Sequence, residues 1–220
     1  MIAFSSDRSG RSGIYVMNAD GSDQRLVTDM VDSSFPDFSP DGERIVYVSS
    51  VPYMGAVNTI NVDGTDQQEV YAENRAMASP DWSPDGQQIV FIYHTHQYFS
   101  ISVMNASGRN FRKLTRPATN QINASPDWSP DGQRIVFSSD RDGDNEIYIM
   151  DASGSNVQQV TDNDATDYWP AWSPDGSQIA WTSRREGNWD ICVMDVDSGN
   201  VRRLTDNPAR DWGVAWSPDG

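Results

Sequence analysis

The chain's two histidines, His94 and His96, stand one residue apart in "HTHQ". Alternate side chains of an extended segment share a face, so both imidazoles could hold a metal if carboxylates from a neighbouring segment completed the site. His94, however, occupies a repeat position where Asp7, Ser50, Asp140 and Arg184 also stand. The pair is therefore read as two exposed loop histidines, without a metal. In "DRDGDNE", Asp140, Asp142, Asp144 and Glu146 alternate as calcium-loop ligands do, but the glycine comes two places too early for an EF-hand loop. Asp and Gly are also what hairpin turns require, and "DNDATD" (162–167) is a weaker form of the same pattern. Cys192 aligns with Tyr15, Asn58, Ser102 and Tyr148, a filled strand position and not a nucleophile. There is no G-x-S-x-G elbow, P-loop, G-x-G-x-x-G or H-E-x-x-H. The residues thus predict no catalytic group, no metal and no cofactor, and the chain is read as a non-enzyme.

What must position any functional side chain is a repeat that covers the whole sequence. Cutting after each Ser-Pro-Asp-Gly gives units 1–42, 43–86, 87–132, 133–176 and 177–220, with Phe38 where the others carry Trp82, Trp128, Trp172 and Trp216. Every unit has short β-branched and aromatic runs separated by turn residues, which reads as strands. Strand B is "IAFSS", "IVYVS", "IVFIY", "IVFSS" and "IAWTS"; strand C is "IYVM", "VNTI", "ISVM", "IYIM" and "ICVM". A polar run, "QRLVT" to "VRRLT", supplies a solvent-facing strand D, and a short strand A carries the aromatic into the next Ser-Pro-Asp-Gly. Proline presets the first central position of that turn and glycine accepts positive φ, so A and B form a hairpin. The five aspartates of these turns (41, 85, 131, 175, 219) are each assigned to their own turn and not to a shared carboxylate ring.

Five units of four antiparallel strands have the spacing of propeller blades. The expected fold is all-β, a single five-bladed β-propeller over 1–220. The sequence opens on a strand B and closes on "VAWSPDG", so residues 213–218 are expected to pair beside residues 2–6 and latch the ring. A monomer follows from that closure, whereas blades shared between chains would give an oligomer.

Strand order puts the B–C loops and D–A connections at one end of every blade. Unlike the uniform turns at the other end, these vary in length and chemistry, and variable loops on a rigid scaffold are where binding concentrates. They supply the candidate partner-binding residues: Arg8, Tyr53, His94, His96, Tyr98, Arg141, Tyr168, Trp169, Arg184, Arg185, Asp211 and Trp212. Aromatics and arginine are enriched at interface hot spots; the competing reading is that Trp169 and Trp212 pack between blades.

Charge narrows the partners. With 32 acidic against 16 basic residues and a formal net charge of −16, the chain should repel phosphate backbones and anionic lipid surfaces. No nucleic acid and no membrane insertion are expected. No segment reaches 18 consecutive apolar residues, and "MIAFSSDRSG" lacks the regions of a signal peptide.

Residues 133–176, "QRIVFSSDRDGDNEIYIMDASGSNVQQVTDNDATDYWPAWSPDG", carry an apolar pair, Ser-Asp-Arg, Gly, "IYIMDASG", a polar run and Pro-x-Trp-Ser-Pro-Asp-Gly. This resembles the TolB-type, WD-repeat-like propeller repeat, and the resemblance spans all five units. It implies a scaffold that binds a protein or peptide through its variable loop face and central channel, in a periplasmic or extracellular setting. Similar repeats occur in the propellers of prolyl-oligopeptidase-type hydrolases and of metal-dependent oligogalacturonate lyases, which gives an enzymatic alternative. A further alternative is an excised or designed propeller with no evolved activity.

Overall fold

The computed structural model of the chain describes all residues except 29, 31, 52, 53, 117, 186, 218 and 219. Nineteen strands are described, in five antiparallel sheets. The first is β1 (Ile2–Ser6), β2 (Gly13–Met17) and β3 (Arg25–Thr28); the second is β4 (Ser34–Phe38), β5 (Arg44–Val51), β6 (Met54–Asn61) and β7 (Gln68–Glu73). The third is β8 (Ala76–Trp82), β9 (Gln88–His94), β10 (Phe99–Asn105) and β11 (Arg112–Lys113). The fourth is β12 (Asn123–Trp128), β13 (Arg134–Ser139), β14 (Glu146–Asp151) and β15 (Gln158–Gln159); the fifth is β16 (Thr166–Trp172), β17 (Gln178–Arg185), β18 (Asn188–Asp195) and β19 (Val201–Arg203). Strands are hydrogen-bonded in chain order within each sheet, so the A-B-C-D meander is present in four sheets and B-C-D in the first. Among the described residues no ladder includes 213–217.

In the third, fourth and fifth sheets the D strands are shorter than their sequence runs because a side chain ends the ladder. Thr115, Thr161 and Thr205 each accept, at Oγ1, the backbone N–H of strand C (Ile101, Ile147 and Ile191), all at 2.9 Å. The threonine satisfies a donor that one more ladder residue would otherwise have to meet.

Each A–B turn is tied by one serine and one aspartate. Ser129 Oγ donates to Asp131 Oδ1 at 2.5 Å and accepts the Arg134 N–H at 2.9 Å, while Gln133 N–H donates to Asp131 at 3.0 Å. Residues 39–44, 83–88 and 173–178 repeat the pattern. These hydrogen bonds lower the pKa of Asp41, Asp85, Asp131 and Asp175, the last to about 2. The turn aspartates therefore serve their own turns.

Strand A carries a bulge in every four-stranded sheet. The residue before its proline has positive φ: Phe35 (54°), Ser79 (47°), Ser125 (51°) and Trp169 (51°). The A–B register shifts across the same residues, since a bulge opposes two residues to one and bends the strand.

The chain divides into two compact units, residues 1–96 with 102–112 and residues 97–101 with 113–220. In the first, Val46, Trp82, Phe91 and Met104 form one core cluster and Ile14, Ile45, Tyr47 and Ile60 another. In the second, Val136, Ile147, Trp172, Trp181 and Met194 pack together. Backbones approach closely at the C–D turns: a Cβ on Gly108 would lie 1.6 Å from the carbonyl oxygen of Val70, so only glycine fits.

Candidate functional site

The arginine that follows strand B has a repeated structural job. Arg8 and Arg141 direct Nε to Ser6 and Ser139 Oγ, both at 3.0 Å. Each guanidinium then covers a cross-strand aromatic pair: Arg8 lies 4.9 and 4.7 Å from the Phe4 and Tyr15 ring centres, and Arg141 lies 5.2 and 4.4 Å from Phe137 and Tyr148. Arg141 Nη2 also donates to Asn123 Oδ1 at 2.9 Å. These two candidates are held against their own sheets.

The fifth sheet keeps the anchor and loses the stack. Arg185 Nε donates to Ser183 Oγ at 3.1 Å, but the strand C residue opposite Trp181 is Cys192, which has no ring. Cys192 is buried, and desolvation raises its thiol pKa, which suits packing and not nucleophilic chemistry. Arg184 stands where Asp140 and Asp7 stand in their units and lies 5.8 Å from the Trp189 ring centre. Arg184, Arg185 and Arg203 line a cavity of about 420 Å³ with Asn163, Asp164 and Ala165. Arg203 is fixed beneath it by Asp190, 2.8 Å away and fully buried, and by the Thr205 carbonyl at 2.7 Å.

Beside the cavity runs an aromatic cluster. Trp189 lies 5.9 Å from Tyr168 and 6.3 Å from Trp169, and Trp169 lies 6.0 Å from Trp212, with ring planes tilted by 35–42°. Trp169 is 44% and Trp212 67% exposed. The bulge at Trp169 brings its indole to this position, and Asn145 Nδ2 holds the Tyr168 hydroxyl at 2.9 Å. Asp211 is tied to its surroundings: its N–H donates to the Trp189 carbonyl at 2.8 Å and its Oδ2 accepts from Asn207 at 2.7 Å.

The other candidates do not join this cluster. Tyr98 takes Lys113, whose Nζ donates to its hydroxyl at 3.3 Å and lies 5.3 Å from the ring centre. His94 ends β9 opposite Ala76, with its pKa lowered by burial and then by the charge of His96, which is exposed. Tyr53 lies outside the described residues. Among the described residues no three His, Cys, Asp or Glu side chains form a metal-holding group. The "DRDGDNE" carboxylates diverge: Asp140 accepts from Ile122 N–H at 2.7 Å, Asp142 from Gln159, and Glu146 from Thr161 and from Asn163 N–H at 2.8 Å.

Sequence reasoning missed Trp189, Arg203, Asn163 and Asp164. Trp189 carried a readable signal, because Ser12, Gly55, Phe99 and Asn145 occupy its position in the other units. Arg203 carried none, since a cation in a polar edge run is ordinary.

Five meandering antiparallel sheets, joined through one repeated hairpin turn, define a β-propeller. The chain belongs to the TolB β-propeller domain family, whose model matches residues 31–169. No curated protein sequence matches it. Among solved structures, it is similar to a putative TolB from Agrobacterium tumefaciens, with 25% identity and a TM-score of 0.81 over 96% of this chain and 75% of that one. It is also similar to TolB from Acinetobacter baumannii, at 23% identity and a TM-score of 0.78, over 96% of this chain but 54% of that one. The chain thus spans about half the length of the Acinetobacter protein. An oligogalacturonate lyase in complex with manganese shares the fold at 17% identity and a TM-score of 0.61, over 97% of this chain and 76% of that one.

Proposed function

We propose that this chain is a non-catalytic propeller scaffold that binds a protein or peptide through the loop end of its fifth blade. The observation that carries the reading is the cluster of exposed Trp169 and Trp212 with half-buried Trp189 beside Arg184. Large aromatics beside arginine are the side chains from which binding hot spots are built; blades one and four have aspartate at the Arg184 position and stack the arginine equivalent to Arg185 on their own rings. Selection of a random peptide library on the immobilised protein tests it. Enriched peptides should lose roughly tenfold or more in affinity on Trp212→Ala and Trp169→Ala and keep it on His96→Ala. Enriched peptides indifferent to both tryptophan variants would move the site elsewhere.

The same reading has residues 213–218 complete the first blade beside β1. In its favour, Gly213 has φ of +77° at the bulge position of the other A strands. Trp216 Nε1 also donates to the Ala171 carbonyl at 3.1 Å. That bond spans 45 residues, as do Trp82 N–H to Asp37 and Trp172 N–H to Asp127 between successive A strands. By the register Ala171↔Ala180, Ala215 should face Ala3. In a Cys192→Ala background, Ala3→Cys with Ala215→Cys should give an intramolecular disulfide, because cross-strand partners lie within bridging distance. Disulfides formed only between chains would overturn closure.

A further inference from the structure

We propose that the fifth blade's arginine cleft and tryptophan ledge together receive an acidic peptide, with carboxylates seated on Arg184 and Arg185 and an adjacent large apolar side chain in the corner between Trp169 and Trp212. This rests on the reading of blade five as the binding surface and specifies its ligand.

Three replacements within one repeat create the cleft. Where blade four has Asp140, Tyr148 and Asn145, blade five has Arg184, Cys192 and Trp189. The first replacement reverses a charge. The second removes the ring on which this arginine would lie, leaving Arg185 anchored through Nε beside the cavity that it lines. The third supplies an indole under Arg184. Arg185 and Arg203 are held in place, by Ser183 and by Asp190 with Thr205, and Arg184 lies over the Trp189 ring. A preorganised guanidinium loses less side-chain entropy on binding a carboxylate. Such a cationic cleft in a chain with twice as many acidic as basic residues selects against the chain's own surface and for an anionic partner.

The ledge argues for peptide over sugar. Its indole planes are tilted by 35° between Trp169 and Trp189 and by 42° between Trp169 and Trp212, so they do not form one flat platform for a pyranose ring. Trp169 is also kept at φ 51° directly before Pro170, a conformation costly for a bulky residue. Phe35, Ser79 and Ser125 share that positive φ, so it belongs to the strand A bulge, and what is particular to blade five is the large indole placed there.

The test compares labelled Ac-Glu-Asp-Trp-Glu-Asp with its Lys/Arg counterpart, its Gln/Asn counterpart and polygalacturonate, using fluorescence anisotropy on the full chain. The acidic peptide should bind tightest. It should weaken roughly tenfold on Arg184→Ala and again on Trp212→Ala, and should weaken as salt is raised. Arg185→Lys, which keeps charge and fold, should cost less than Arg184→Ala. Equal binding of the neutral or basic peptide, still lost on Trp212→Ala, would overturn the acidic specificity while leaving the surface. Binding of polygalacturonate without the peptides would overturn the peptide assignment. Acidic-peptide binding unchanged in every variant, or no binding by any probe, would overturn both the ligand and the surface.

Discussion

Blades four and five share one framework. Ser129 and Asp131 tie one A–B turn as Ser173 and Asp175 tie the other; Thr161 and Thr205 end the two D ladders identically; Trp128 and Trp172 fill the same buried place. They part at the loop end, most sharply where strand C begins. Glu146 and Asp190 occupy the same repeat position, and both are buried. Glu146 is stabilised by uncharged donors, Thr161 and Asn163, and desolvation pushes its pKa up to about 7. Asp190 is met by the Arg203 guanidinium at 2.8 Å. One blade surrounds its buried carboxyl with neutral donors, the other meets it with a cation. The framework is redundant enough that its loop end can carry different charges without changing strand order.

The largest effect that would break this contrast is removal of the cation. Arg203→Ala should destabilise the chain by about 3 kcal/mol, the usual cost of leaving a buried carboxylate unpaired. Asp190→Asn with Arg203→Ala should recover most of it, because no buried charge then remains. Urea unfolding of the two variants measures this. Equal loss in both would mean that Arg203 stabilises through its packing and not through Asp190.

A smaller effect follows from Glu146. Its folded pKa of about 7 lies above its ordinary 4.5, so the folded chain binds the proton more tightly than the unfolded one. Its contribution is therefore present at low pH and is lost as pH rises through about 7. Asp37, raised to about 6 by burial, acts in the same direction. The turn aspartates oppose them: with lowered pKa values, they lose their stabilising contribution only as pH falls below about 4 towards 2. Melting should thus be highest near pH 5 and a few degrees lower at pH 8. Glu146→Gln should flatten the slope between pH 5 and 8 without removing the part due to Asp37. An unchanged slope would show that Glu146 is ionised in the folded chain at both pH values.

How far the sequence disclosed this depends on whether a feature repeats. Strands B and C were legible because "IVFSS" and "IYIM" recur with the same spacing, and the role of each turn aspartate was legible because a Pro-Asp-Gly turn accounts for it. The bulge in strand A was not, since nothing in Phe35, Ser79 or Trp169 announces positive φ until the register with strand B is known. At the site, Trp169, Trp212, Arg184 and Arg185 were found as variable-loop residues. Arg8 and Arg141 were grouped with them, because the rings beneath them lie on two different strands and their stacking exists only once those strands pair. What sets Arg185 apart from Arg8 and Arg141 is Cys192 in place of tyrosine, a change that looks neutral in strand C alone.

The smallest expected change in stability falls where binding should change most. Trp169 combines a strained backbone with an exposed indole, and Gly213 holds the equivalent position in the last repeat at φ +77°. Trp169→Gly relieves the left-handed conformation, a gain of up to about 1 kcal/mol, but increases the entropy of the unfolded chain and removes ring contacts with Trp189 and Trp212. These effects oppose one another, so stability should stay within about 0.5 kcal/mol of the parent. Acidic-peptide binding, in contrast, should fall at least as far as in Trp212→Ala. The pair of measurements distinguishes an indole kept for packing from one kept for a ligand. A loss of several kcal/mol with binding intact would assign Trp169 to the core of blade five, and the contrast with blade four would then rest on Arg184 and Cys192 alone.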